Sequence, residues 1–219
     1  MKKILVTLCI IVSLLFVSSC KNEIDLSMYL SQKRTSVYTA VSENYTVTLY
    51  GEEREDPFLS DGFVGTIKKF ITVRIEDCKK LLDDASIIIS YDGVTLKGNF
   101  EYSPLSGKYI TEFEVENLPS KNDISAVIKN DGEEYTFTLS GYNLSGENYK
   151  SALQAVSKSA SGYLDKLKSN GSYLMEVRLR TIYQEDRIYY YVSIIDKQGK
   201  TLAYLVDGES FEILASKTI

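Results

Sequence analysis

The sequence predicts a mainly β chain with an α+β tail: an antiparallel β-sandwich followed by one helix packed on a small antiparallel meander. Three observations predict it. Short runs that alternate apolar and polar residues recur between residues 36 and 143, as half-buried strands require. Asp-Gly pairs separate several of these runs, and both residues tolerate the positive φ of a tight hairpin. At Asn143 the apolar spacing lengthens to steps of three and four and keeps that period to Leu167, the mark of one apolar helix face.

Taken in order, Tyr45-Thr46-Val47-Thr48-Leu49 and Ile71-Thr72-Val73-Arg74-Ile75 alternate as strands with one face inward. Ile87 to Tyr91 and Val94 to Leu96 flank Asp92-Gly93, and Ser125 to Ile128 and Tyr135 to Leu139 flank Asn130-Asp131-Gly132, so each set reads as a hairpin. Between them Ser106-Gly107 turns Phe100–Ser103 back into Tyr109–Val115. Seven or eight such strands read as an antiparallel sandwich of immunoglobulin-like plan. Ser145 is placed to cap a helix whose apolar face is Tyr149, Leu153, Val156, Ala160, Tyr163, Leu164 and Leu167. Lys166 and Lys168 favour its C-terminal end, and Asn170-Gly171 stops it. Met175, Val177 and Leu179 then alternate with Glu176, Arg178 and Arg180; Ile188–Ile195 and Thr201–Val206 follow, and Phe211–Leu214 closes the meander.

The first nineteen residues have another character. Lys2 and Lys3 precede an almost wholly apolar run, Ile4 to Val17, too short to span a bilayer comfortably and shaped like a removable export signal. Val17-Ser18-Ser19-Cys20 resembles the lipobox of bacterial lipoproteins, an aliphatic residue and two small ones before an obligatory cysteine. The resemblance implies cleavage between Ser19 and Cys20, acylation of Cys20, and a membrane partner reached through that lipid. The expected location is outside the cytoplasm, on the cell membrane or the outer membrane. The chain therefore divides into a signal at 1–19, a lipidated tether at 20–34, a β-sandwich domain at 35–143 and a helix-plus-sheet module at 144–219.

Composition narrows the chemistry. The chain has no histidine, which removes Ser-His-Asp and Cys-His catalysis and the common catalytic zinc sites. Loss of Lys2 and Lys3 with the signal takes the formal charge from −5 to −7, an unfavourable balance for nucleic acid. With Cys9 in the signal and Cys20 acylated, Cys78 stands alone, so no internal disulfide forms and a small strand-end residue is the expected role. Glu52, Glu53, Glu55, Asp56 and Asp61 lack the spacing of a calcium loop and read as a solvated loop. Asp83-Asp84 reads as a turn rather than a hydrolase pair. No cofactor, metal or catalytic residue is expected.

Tyrosine is the enriched residue, with 17 in the chain. Tyr189, Tyr190 and Tyr191 are consecutive, so a strand points the middle one away from its neighbours, and Tyr204 falls on the next strand. These four are the candidate patch for a peptide or glycan, with a protein or peptide the possible partner, set against a role in packing the sheet. The last third also resembles a PepSY-like module, through Asp207-Gly208-Glu209-Ser210-Phe211-Glu212-Ile213-Leu214 and the upstream hairpin Tyr190–Asp196 and Gly199–Thr201. Phe211 departs from that pattern, which has glycine there. The resemblance implies an exported domain that restrains peptidases. The function expected is thus a non-enzymatic binding or envelope role, with a peptidase modulator second and a carboxylate hydrolase third.

Overall fold

Strand β1 (Leu30–Val41) joins the two halves of the molecule. A computed structural model describes residues 23–59, 61–76, 84–104, 106–120, 123–143, 148–185 and 187–219. The expected signal, its cleavage site, Cys20, Cys78, Asp83 and Ser145 lie outside the described residues.

After β1 come β2 (Thr46–Glu55), β3 (Ile67–Glu76), β4 (Ser86–Tyr91), β5 (Val94–Asn99), β6 (Glu101–Ser103), β7 (Lys108–Val115), β8 (Asp123–Asn130) and β9 (Glu133–Asn143). Two helices follow, α1 (Asn148–Ser159) and α2 (Ser161–Leu167), with the small hairpin β10 (Lys168–Ser169) and β11 (Ser172–Tyr173). The meander is β12 (Met175–Gln184), β13 (Arg187–Asp196), β14 (Thr201–Asp207) and β15 (Ile213–Thr218).

On one side β1 pairs antiparallel with β2 from Gln32 to Val41, and the register slips between Arg34 and Ser36. Its other edge changes partner at that slip. Residues 30–34 run parallel to β12, and residues 36–39 pair antiparallel with β9. A bulge of this kind bends a strand and re-aims its side chains. Here it divides one sheet, with order β15-β14-β13-β12-β1-β2-β3-β7-β6, from a second layer of β9, β8, β4 and β5 that folds back over β2 and β3. β5 comes alongside β7 without pairing, so the sandwich is nearly closed. Gly141 permits the close crossing of β9 over β1, because a Cβ there would overlap the Tyr38 ring and the Val37 carbonyl.

Each half has its own core. Tyr38, Leu49, Ile71, Val73, Ile87, Ile89, Ile124 and Leu139 fill the sandwich. Leu153, Val156 and Leu164 of the helices meet Val177, Leu179, Tyr190 and Val192 of the meander. Each such side chain contributes about 1.5–3 kcal/mol on burial. The predicted hairpins form at Asp92-Gly93 and Asp131-Gly132, with both residues of each pair at positive φ.

Two expectations change. The single helix is two, broken at Ala160, which leaves helical geometry at φ −85, ψ 2 without a side-chain cap just before Gly162. All the predicted face residues still meet the second core. The segment assigned as a tether, 20–34, is not free of the fold from residue 23 onward. Asp25 caps a 3-10 turn at Leu26–Tyr29 through the Ser27 N–H, and Leu26 is buried against α1. The Ser157 hydroxyl donates to the Ile24 carbonyl at 2.8 Å, and Tyr29 stacks edge-on to Tyr173. The proposed boundary at residue 35 therefore falls inside β1, at its bulge.

Candidate functional site

Period-two geometry separates the four candidate tyrosines. Tyr190 points into the helix-covered core at 1 % exposure, and Tyr204, opposite Val192, joins it at 5 %. Burial pushes the Tyr190 hydroxyl's pKa up. Tyr189 and Tyr191 occupy the other face, half-buried, with Arg187 beside the Tyr189 ring. A patch of all four does not form, because successive residues of a strand take opposite faces while cross-strand partners share one.

Tyr191 belongs instead to a different site. It sits opposite Arg180 on β12, and both line a cleft of ≈ 500 Å³ with Arg34, Tyr50, Arg74 and Thr181. The cleft opens where β1 leaves β12 for β9, so the bulge that divides the sheet also makes the hollow. Tyr50 is its centrepiece. The Arg34 guanidinium carbon lies 4.2 Å from the ring centroid and that of Arg74 lies 5.1 Å away, both within cation–π range.

Beneath the cleft a buried carboxylate orients the arginines. Glu52, 1 % exposed, accepts hydrogen bonds from Arg34 Nε and Nη2, from Gln32 Nε2 and from Arg54 Nη1, all within 3.1 Å. Burial alone would raise the Glu52 pKa, but the Arg34 and Arg54 charges and hydrogen bonds outweigh it and the net shift is downward. Gln32 relays the order outward, since its Oε1 accepts from Arg180 Nε at 2.9 Å. The carboxylate therefore fixes Arg34 directly and Arg180 through an amide.

The arginines are not all neutralised. Among the described residues neither Arg74 nor Arg180 has a carboxylate within ion-pair distance, and the buried Nε of Arg74 has no hydrogen-bond partner. Glu76, the acidic residue of the lining, is held by Lys108. Burial lowers the Arg180 pKa, and the like charges of Arg34 and Arg178 lower it further. Thr181, 2 % exposed, also lines the cleft, and its hydroxyl has no hydrogen-bond partner among the described residues.

Further along the same face the β2–β3 loop folds over β12. The Phe58 ring covers Arg178 at 3.8 Å, and the Gly62 N–H donates to Glu176 Oε1 at 3.2 Å. Burial raises the Glu176 pKa, which the Gly62 N–H and Arg178 only partly offset. The acidic run expected as a solvated loop is thus in large part strand: Glu52, Glu53 and Glu55 lie in β2, and both Glu52 and Glu55 are buried. Among the described residues no group of three or more Cys, Asp or Glu could hold a metal ion.

The arrangement is suited to recognition: oriented guanidinium donors and phenol rings around an open hollow. The sequence signal for it was the alternation Glu176-Arg178-Arg180 against Met175-Val177-Leu179, which marked a polar face but not that the face is shared with β1 and β2. Neither a family model, nor a curated protein, nor a solved structure matches the chain, so the reading of this site rests on its geometry.

Proposed function

We propose that this protein is an exported lipoprotein, held to the cell membrane or outer membrane through an acylated Cys20, that works by binding a partner at the arginine–tyrosine cleft. The observation that carries the binding role is the convergence of Arg34 and Arg74 on Tyr50 with Arg180 lining the same cleft, two of the three guanidiniums lacking carboxylate partners among the described residues. The lipobox-like Val17-Ser18-Ser19-Cys20 supports the anchor. Metabolic labelling with radioactive palmitate tests it. The wild-type chain is expected to take up label and sediment with membranes, and Cys20→Ala to lose the label. An unlabelled wild type overturns the anchor.

One observation favours a second reading, that the C-terminal unit is a PepSY-like modulator of an exported peptidase. Phe211 adopts φ 59, in the left-handed region, at the position where the PepSY pattern carries glycine. Asp207 Oδ1 organises the same turn, accepting from the N–H groups of Glu209 and Ser210. Inhibition assays on peptidases exported with this protein test that reading, and no inhibition across the set removes it.

A further inference from the structure

We propose that the cleft takes an oxyanion, carboxylate or phosphate, carried on a ligand of small-molecule size, with Arg74 and Arg180 as its principal donors. This deepens the binding role proposed above and rests on it. Three features converge. The first is uncompensated charge: Arg34 is satisfied by Glu52, whereas Arg74 and Arg180 face the hollow with no carboxylate partner among the described residues. The second is orientation. Arg180 spends its Nε on Gln32, so its two terminal amino groups are left for a ligand, and the Gln32–Glu52 relay holds the guanidinium plane. Arginine's fixed fork then matches two oxygens of one carboxylate or phosphate.

The third is the size and wall of the site. A volume of ≈ 500 Å³ exceeds what one oxyanion fills and falls within the range of small-molecule sites. Tyr50 and Tyr191 supply flat rings for the uncharged part of the ligand. The formal charge of the whole chain is −5, so an anion is not drawn to its surface in general. Binding must be local to this cationic hollow.

The test is titration of the full chain, purified in detergent, with inorganic phosphate and separately with citrate. Calorimetry reads the binding, and the loss of any tyrosine fluorescence change in Tyr50→Phe and Tyr191→Phe assigns that change to the cleft. Saturable binding is expected, weakening with added chloride. Arg74→Gln and Arg180→Gln are each expected to weaken it about tenfold with the fold retained by circular dichroism, as loss of a charge-assisted fork implies. Lys129→Gln, on the exposed face of the other layer, is expected to leave it unchanged. Should a glutamine variant fail to fold, Arg180→Lys keeps the charge without the fork and is expected to bind more weakly than wild type.

Binding of phosphate alone identifies a phosphoryl ligand, and binding of citrate alone identifies a carboxylate; either supports the proposal. No saturable binding of either probe overturns it, as does unchanged affinity in folded Arg74→Gln and Arg180→Gln. The measurement does not depend on acylation of Cys20, so a failed palmitate label and a failed titration are separate results.

Discussion

Glu52 and Glu176 lie on the same face of one sheet, both buried, at 1 % and 0 % exposure, yet their surroundings are opposite. Around Glu52 the strands supply more positive charge than the carboxylate needs: Arg34, Arg54 and Gln32 all donate to it, and its pKa falls despite burial. Around Glu176 the β2–β3 loop supplies one backbone N–H, Glu55 adds a like charge, and burial dominates, so its pKa rises. The difference teaches that a buried carboxylate organises a site only where neighbouring strands bring donors to it. The Glu52 end became a cleft with oriented arginines; the Glu176 end was closed by a loop.

The largest test of this contrast is Glu52→Gln. It leaves Arg34, 8 % exposed, without its charge partner, and breaking a buried pair in this way costs about 3–5 kcal/mol. Urea unfolding of the two chains is expected to show that loss. The pH dependence has a definite sign. The folded Glu52 pKa lies below its unfolded value, so its contribution is complete above the unfolded value and disappears as pH falls through the folded one. Glu52→Gln is expected to flatten that acid limb.

Glu176→Gln should act in reverse. The folded Glu176 pKa lies above its unfolded value, so a destabilising contribution sets in as pH rises past the unfolded value and is complete above the folded one. The amide oxygen still accepts from Gly62, and the variant is expected to be more stable at neutral pH by about 1 kcal/mol. A loss of stability at neutral pH would erase the contrast between the two carboxylates. Phe58→Ala removes the cover on Arg178 and is expected to cost about 0.5–1 kcal/mol, the range of a partly exposed cation–π contact. Faster amide exchange confined to residues 56–66 would locate that effect in the closing loop.

Much of the fold was legible from local signals. Asp92-Gly93 and Asp131-Gly132 specified hairpins by their φ preference, and the spacing from Tyr149 to Leu167 specified the helical layer. The first strand was not legible. Leu30-Ser31-Gln32-Lys33-Arg34 has no clear apolar alternation, because the face it turns to the cleft buries polar atoms against Glu52 and Arg180, 18 and 146 residues beyond Arg34. The acidic run at Glu52–Glu55 misread for the same reason: its partners are distant in sequence, and charge that is solvated in isolation is buried once paired. The tyrosine run pointed toward the cleft through Tyr191 alone, since only the pairing of β13 with β12 places that ring beside Arg180.

If the cleft arginines serve a ligand rather than the fold, removing their charge should cost little stability, because functional charge clusters strain the free protein. The thermal midpoint of the full chain carrying Arg74→Gln and Arg180→Gln together measures this directly. A midpoint equal to or above wild type is expected, in contrast to the drop in Glu52→Gln. A fall as large as that of Glu52→Gln would contradict it and assign the arginines to holding the sheet together.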